Sequence, residues 1–310
     1  VQVVSELRLT PFPLGTFAPA DAERYDYDRD AQAAGIVHFG IGAFHRAHQA
    51  WYTDLAMSAG DRDWGIVGVS LRSGEGAHQL NPQEGLYTVT ERSGEGARTR
   101  IVGAVKEVLV APYEPDEVIA ALAAPATRIA SFTITEKGYC RDRDGGLDPD
   151  LAGDESVYHY LARGLRRRHD AGLPCLTLMS CDNLADNGQQ LARLMREYLE
   201  RHDPALLAWF EAECTCPSTM VDRIVPATTT EDREQVAEEL DGLRDEAAVM
   251  TEPFSQWVIE DRFANGRPLW DKVGAQLVAD VRPYETAKLR MLNGAHSLLA
   301  YVGLAHGHTY

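Results

Sequence analysis

The chain has 310 residues, 45% of them hydrophobic, so it is long enough to bury a large core and to form two domains. Its 47 acidic and 30 basic residues give a formal net charge of −17 at pH 7, which disfavours nucleic acid and anionic membrane surfaces as partners. No apolar run approaches the roughly 20 residues needed to cross a bilayer, and the start of the chain lacks the pattern of an export signal, so we expect a cytoplasmic protein.

The cysteines favour the same location. The chain has five, an odd number, without the spacing of a secreted disulfide framework or a zinc ribbon. Cys214 and Cys216 resemble half of a metal site, but no second close pair of Cys or His accompanies them. We therefore interpret both as incidental thiols.

Residues 1–34 are rich in Pro, Asp and Tyr and are expected to form an irregular lead-in. After them, buried-strand patterns alternate with helical patterns. The strand patterns occupy residues 35–42, 64–71, 128–135 and 174–181, and a hairpin is expected within residues 86–110. This alternation predicts an α/β fold, with a mostly parallel, doubly wound sheet of the Rossmann type.

From about residue 183 the pattern changes to long amphipathic helices, of which residues 190–213 give the clearest. Residues 231–246 are dense in charge, which is typical of a solvated helix face rather than of a binding surface. Residues 249–263 are compatible with a strand, and a helix is expected to begin at Glu285. We therefore divide the chain into the lead-in 1–34, a dinucleotide-binding domain at 35–230 and the start of a mainly helical substrate domain at 231–310.

A glycine-containing turn, GIGAFHRAH, ends the first strand pattern. Gly40 and Gly42 stand where a missing Cβ lets the backbone approach a pyrophosphate and where a helix N-terminus supplies unpaired amides. His45 occupies the third glycine position of the dinucleotide fingerprint, so the turn by itself is about equally compatible with a purely structural role. After the second strand, Glu75 favours NAD because it can hold ribose hydroxyls, whereas Arg72 keeps NADP open.

Several motifs together carry a resemblance to a known family. They are GIVHFGIGAFHRAHQAWYTD, TITEKGY, LMSCDNLADNG, STMVDRIVP, EPFSQWVIEDRF and KLRMLNGAHS, and they follow one another across nearly the whole chain. In this combination the chain resembles the mannitol dehydrogenase family of long-chain polyol dehydrogenases, which also includes fructuronate reductase. The resemblance implies a Rossmann-type domain, a helical C-terminal domain, NAD-dependent chemistry and no zinc. Family members continue well beyond the equivalent of Tyr310, so we expect most of the second domain to be missing.

The resemblance also implies the reacting groups. In the family pattern K-x4-N-x2-H the lysine is the general base, and it matches Lys288, with Asn293 and His296 at the next two positions. Asn293 and Asn183 are expected to form an oxyanion hole, His296 to orient the substrate, and Glu285 to act as a proton relay or gate. The expected cofactor contacts are Gly40, Gly42, Phe44, Arg72, Glu75 and Asp222.

Structural alternatives exist for these residues. A lysine with an unperturbed pKa near 10.4 must drop by ~3 units to act as a neutral base near pH 7, and helical spacing places Lys288 among leucines whose burial would favour that drop. A lysine on a helix flank can instead reach water. Asp222 and Arg223 can instead form a structural ion pair between domains. The side chains of the first helix, His45, Arg46 and His48, can contact the cofactor or simply cap and pack that helix.

The sequence therefore predicts a metal-independent, NAD-dependent oxidoreductase that interconverts a sugar alcohol and its 2-ketose, with D-mannitol and D-fructose as the representative pair. The alternative substrate pair is D-mannonate and D-fructuronate. A different class, a cofactor-binding protein without turnover, would keep the glycine turn but would not need the set of Lys288, Asn293 and Asn183. The expected partner is a small polyol, ketose or hexuronate, and the oligomeric state stays open.

Overall fold

The structure is a computed structural model that describes residues 7–11 and 22–308. The strands, in chain order, are β1 (Glu23–Arg24), β2 (Ala34–Phe39), β3 (Gly65–Ser70), β4 (Tyr87–Ser93), β5 (Gly96–Val102), β6 (Val105–Val110), β7 (Ile129–Phe132), β8 (Thr177–Ser180), β9 (Thr219–Asp222), β10 (Val249–Thr251), β11 (Gln256–Glu260) and β12 (Gln276–Val278). The helices are α1 (Ala43–Ala47), α2 (Gln49–Ser58), α3 (Glu75–Leu80), α4 (Pro115–Ala123), α5 (Thr135–Gly138), α6 (Val157–Asp170), α7 (Asn187–His202), α8 (Pro204–Glu213), α9 (Thr230–Glu239), α10 (Arg282–Ala287) and α11 (Gly294–Ala305). A π-helix, Lys288–Asn293, joins α10 to α11, and 3₁₀ turns occur at Asn81–Gln83 and Trp270–Val273.

A parallel sheet in the order β6-β3-β2-β7-β8 forms the centre of the fold. Successive residues of β2 enter opposite hydrophobic cores, with Ile36 in one core and Val37 and Phe39 in the other. Helices α4, α6 and α7 supply one core, whereas α1, α2 and the hairpin β4–β5 supply the other. This is the doubly wound Rossmann-type sheet that the alternation of strands and helices predicted, so the fold class is confirmed.

Two smaller sheets flank the central one. They have the orders β1-β5-β4-β10 and β12-β11-β9. β10 pairs in parallel with β4, with Val249 opposite Val89, so segments on the two sides of residue 230 share a sheet. The expected domain division at that residue stays a prediction.

The described part of the lead-in is more ordered than the sequence predicted. Glu23–Arg24 pairs in parallel with β5, and Leu9 is fully buried in a cluster with Leu86 and Ile101. The Tyr27 hydroxyl donates a hydrogen bond of 2.6 Å to Asp54. These contacts depend on residues far along the chain, which composition alone does not reveal. The remainder of the lead-in, residues 1–6 and 12–21, lies outside the described residues.

The long helix predicted over residues 190–213 is two helices. Asp203, with φ −153°, separates α7 from α8, and Pro204 is the first residue of α8. Proline lacks the N–H that would continue the preceding helix, but its fixed φ suits a first helical position. The helical spacing of apolar residues continues through Pro204, so the sequence pattern does not reveal that the chain changes direction there.

One expectation about the cysteines is wrong. Cys214, interpreted from the sequence as an incidental thiol, forms a disulfide with Cys175, and their Cα atoms are 5.1 Å apart. The pairing arises because the end of α8 returns to the start of β8, where Thr177 and Thr215 form a bridge. Cys140, Cys181 and Cys216 are free and buried. Over residues 7–11 and 22–308, no helix combines the length and apolar character needed to span a membrane.

Candidate active site

The glycine turn lies at the carboxyl end of β2, in the middle of the central sheet. Gly40 has φ +97°, and a Cβ there would lie 2.0 Å from the carbonyl oxygen of Thr133, so this position requires glycine. A Cβ on Gly42 would meet no atom within 4 Å, so the surface above the start of α1 is open. Amides in the first turn of a helix lack intrahelical partners, and this open surface can therefore accept a pyrophosphate.

A cavity of about 540 Å³ opens beside this turn. It is lined by Gly40, Gly42, Ala43, Phe44, His45, Thr133, Thr135, Cys181, Asp182, Asn183, Val221, Asp222, Arg223 and Lys288. The predicted cofactor residues Gly40, Gly42 and Phe44 thus share one cavity with the predicted base Lys288 and with Asn183. Residues that are far apart in the sequence meet here because the loops after β2, β7 and β8 all leave the same edge of the sheet.

Lys288 is held by polar contacts. Its Nζ donates hydrogen bonds to the carbonyl oxygen of Val221 at 2.6 Å and to Oδ1 of Asn183 at 3.2 Å. Oδ1 of Asp222 lies 3.3 Å from the same nitrogen, and the lysine side chain is only 10% exposed. Because the oxygen of Asn183 accepts from Lys288, the amide nitrogen of Asn183 remains available to donate to a substrate oxygen.

The expectation that leucines bury Lys288 is wrong for the leucines whose side chains are described. Leu289, Leu298 and Leu299 are 57%, 64% and 67% exposed. The contacts of Lys288 come instead from the loop after β8 and from the end of β9. Helical spacing places Lys288 among leucines, but it does not show which residues surround its side chain.

Asp222 and Arg223, for which a structural ion pair between domains is the alternative to a site role, have different partners. Asp222 faces Lys288, whereas Arg223 forms an ion pair with Glu91 and donates to the carbonyl oxygen of Ala47 at 2.6 Å. The guanidinium of Arg223 also lies 4.6 Å from the ring centre of Trp51. Asp222 is the last residue of β9 and Arg223 follows the strand, so the two neighbours need not share a face.

Glu285 lies on α10, which begins at Arg282 rather than at Glu285. Its Oε1 accepts a hydrogen bond of 3.2 Å from the backbone nitrogen of Asp186. Burial raises the pKa of the Glu285 carboxyl group, and nearby carboxylates, Asp186 first, raise it further against the opposing effect of that hydrogen bond. Glu285 does not belong to the described lining of the cavity. The side chains of Asn293 and His296 lie outside the described part of the structure, so their roles stay predictions.

The two residues expected to choose between NAD and NADP line different cavities beside the glycine turn. Arg72 lines a cavity of about 570 Å³ that also contains Gly40 and Thr133. Glu75, in the first turn of α3, lines another cavity of about 430 Å³ that contains Gly40 and Gly42. Both follow β3, where the Rossmann fold holds the adenosine ribose.

The histidines of the first helix serve packing. His45 and His48 are fully buried, and the His45 ring stacks on His38 with 3.4 Å between ring centres. Nε2 of His48 lies 3.0 Å from the carbonyl oxygen of Gln256. Burial lowers the pKa of His38 and of His48 to about 3. These side chains therefore fit the alternative of packing α1, and His45 in addition reaches the cavity wall.

Sequence reasoning missed Asp182. Its carboxylate accepts hydrogen bonds from the backbone nitrogens of Ile134 and Thr135, both at 3.0 Å, and from the Tyr139 hydroxyl at 2.8 Å. Thr135 has φ +62°, which is strained for a β-branched residue. Asp182 thus holds a strained loop against the cavity. The signal was its place beside Asn183 in the motif LMSCDN.

The geometry defines a class first. A parallel doubly wound sheet carries a glycine turn and a lysine–amide pair at the carboxyl edge of its strands, as in Rossmann-type dinucleotide-binding proteins. Sequence profiles then give the family: the mannitol dehydrogenase Rossmann domain matches residues 34–272, and the mannitol dehydrogenase C-terminal domain matches residues 280–310. The chain belongs to the mannitol dehydrogenase family, and the resemblance noted from the motifs is confirmed.

Individual relatives cover nearly all of this chain. The D-mannonate oxidoreductase of Escherichia coli is 45% identical over 92% of this chain and 62% of its own length. The polyol:NADP oxidoreductase of Gluconobacter oxydans is 42% identical over 94% of this chain and 63% of its own length. The solved Pseudomonas fluorescens mannitol 2-dehydrogenase, in ternary complex with NAD and D-mannitol, is 39% identical with a TM-score of 0.88, over 97% of this chain and 64% of its own. The chain thus spans about three-fifths of the length of these relatives.

Proposed function

We propose that this chain carries the hydride-transfer site of an NAD-dependent oxidoreductase that interconverts a sugar alcohol and its 2-ketose, of the D-mannitol and D-fructose type. The observation that carries the proposal is the convergence of Lys288, Asn183 and Asp222 in one cavity with the Gly40–Gly42 turn. Family membership supports it, because a named relative of similar structure binds NAD and D-mannitol.

In alcohol oxidation, the neutral amine of Lys288 accepts the proton of the substrate hydroxyl. The amide nitrogen of Asn183 donates a hydrogen bond to the alkoxide that develops, and Asn293 is the expected second donor. In ketose reduction, the Lys288 ammonium returns the proton to the carbonyl oxygen, while Asp222 balances its charge. The bound nicotinamide cofactor would accept the hydride in alcohol oxidation as NAD and would supply it in ketose reduction as NADH. His296 as an orienting group and Glu285 as a proton relay complete the proposal.

NAD is the proposed cofactor rather than NADP. Glu75 can accept hydrogen bonds from ribose hydroxyls but would repel a 2′-phosphate. Arg72 and the NADP-dependent name of the Gluconobacter relative are the arguments for NADP. Titrating the protein with NADH and NADPH tests this choice, and tighter binding of NADPH would reverse it.

D-Mannonate and D-fructuronate are the second candidate pair, because the Escherichia coli relative named for D-mannonate is 45% identical to this chain. The deciding experiment follows NADH oxidation with D-fructose and with D-fructuronate under the same conditions. Faster turnover of D-fructuronate would replace the leading proposal by the second one. Binding of NADH without turnover on a panel of polyols, ketoses and hexuronates would favour a non-catalytic cofactor-binding protein.

A further inference from the structure

The cavity of about 430 Å³ beside the glycine turn has a wall that the proposed function does not use. One side consists of the turn itself, with Gly42 and Ala43. The facing residues Thr228, Arg233, Glu246 and Ala248 come from the segment between β9 and β10. The charge density of the helix that carries Arg233 predicts a solvated face. Its inner side instead reaches the candidate cofactor site.

Arg46, in α1, is a buried cation in this cavity. It is 9% exposed, and its Nη1 donates to the carbonyl oxygen of Ala247 at 2.6 Å. Its Nε is buried and has no hydrogen-bond partner within the described residues. Burial lowers the pKa of the Arg46 guanidinium and the charge of Arg233 lowers it further, whereas Tyr87, Asp245 and Glu75 oppose that shift. A buried donor without a partner is costly, so an anion in the cavity would stabilise it.

Arg233 has the same feature. Its Nε is buried without a partner in the part of the chain that the structure describes. A capping box between Thr229 and Asp232 fixes the first turn of α9, and therefore the place from which Arg233 projects. Two guanidinium groups with unused N–H donors thus line one cavity beside the open surface above Gly42.

Two carboxylates, Glu246 and Glu75, also line this cavity. Glu246 forms an ion pair with Arg244 at 2.9 Å. Glu75 is exposed in the first turn of α3. Paired cations beside a glycine turn, together with a carboxylate that can accept from hydroxyl groups, suit a nucleoside diphosphate better than inorganic phosphate.

We infer that Arg46 and Arg233 form a cationic subsite that binds the pyrophosphate of the dinucleotide from the side opposite the glycine turn. This inference rests on the cofactor of the proposed function. It makes α9, which lies outside the dinucleotide fingerprint, part of the cofactor site.

The test compares Arg233→Gln with the unchanged protein by isothermal titration with NADH, ADP and adenosine. Loss of a charge-assisted contact to phosphate should weaken NADH and ADP binding by about tenfold or more. Adenosine binding should not change, because adenosine has no phosphate. Arg98→Gln is the matched control, since it removes the same charge from an exposed residue that pairs with Glu23, and all three affinities should persist.

Unchanged ADP binding by Arg233→Gln, or equal weakening of ADP and adenosine, would overturn the inference. Arg46→Lys keeps the charge but loses the forked donor geometry, so ADP should bind more weakly and adenosine equally well. If either variant fails to fold, the test uses the unchanged protein at increasing NaCl concentration. Salt should weaken the binding of ADP but not that of adenosine, and an equal effect of salt on both affinities would refute the subsite. If the unchanged protein binds NADH and ADP without turnover, the proposed function is refuted but the subsite is not. If it binds neither, the proposed function and the subsite are both refuted.

Discussion

The central sheet and the C-terminal segment, residues 282–305, are held in place by different forces. β2 lies between two hydrophobic cores and has fully buried apolar side chains on both faces. The C-terminal segment packs Tyr284 against a small cluster, while the apolar side chains of its later turns are largely exposed. Near the site it is attached through the polar groups of Glu285 and Lys288. The candidate site therefore joins a packed scaffold to a segment whose key residue depends on a few polar contacts.

Replacing Lys288, which attaches the C-terminal segment through polar contacts, should have the largest effect on activity. In Lys288→Met the proton acceptor is lost, so kcat for alcohol oxidation should fall by about 10²–10⁴-fold or more. NADH binding should persist, because the glycine turn belongs to the sheet. Lys272→Met, at an exposed lysine, is the control and should retain full activity. If Lys288→Met unfolds and its residual activity keeps the original pH profile, Lys288 is structural.

Equal truncations in the two regions should have unequal effects on stability. Leu178→Ala in β8 removes a fully buried side chain and should lower the free energy of unfolding by about 2–5 kcal/mol. Leu298→Ala in α11 removes an exposed one and should change it by less than about 0.5 kcal/mol. Urea denaturation measures both. Similar losses would show that the C-terminal segment is covered in solution.

The two glycines of the turn are expected to differ in their effects on stability and on cofactor binding. Gly40→Ala places a Cβ against the Thr133 carbonyl at positive φ, and it should lower the free energy of unfolding by about 2–3 kcal/mol. Gly42→Ala meets no atom, so stability should change by less than about 0.5 kcal/mol while NADH binding weakens. Titration and urea denaturation of the two variants provide the comparison. Normal NADH binding by Gly42→Ala would place the pyrophosphate elsewhere.

Acid should weaken the scaffold through its buried histidines. His38 and His48 have pKa values near 3 in the fold because burial disfavours the charged form, whereas unfolded histidine titrates near 6.5. Between these values the unfolded chain binds more protons, so stability is complete above pH 6.5 and falls as the pH falls. The expected loss is about 1.4 kcal/mol per pH unit for each histidine. His48→Gln should reduce this slope, and His202→Gln, at an exposed histidine, should not; equal slopes in both variants would contradict the assignment.

The sequence predicted most of the fold because buried strands leave long apolar runs, as in β2 and β8. It did not reveal that Pro204 divides a continuous apolar pattern into two helices. It also did not reveal the disulfide, because Cys175 and Cys214 meet only after two helices have folded back. For the site, motifs located Lys288 and Asn183, which do share a cavity. They could not show that Asp182 holds a strained loop, since that role depends on backbone groups of another segment.

The π-helix Lys288–Asn293 gives the spacing of its motif a geometric meaning. In an α-helix, positions five residues apart are rotated by about 140° around the axis, whereas the wider turn of a π-helix, with its i→i+5 hydrogen bonds, reduces that rotation. The backbone positions 288 and 293 are thus rotated less from one another than an α-helix would place them. The interval K-x4-N therefore coincides with the segment in which the helix widens.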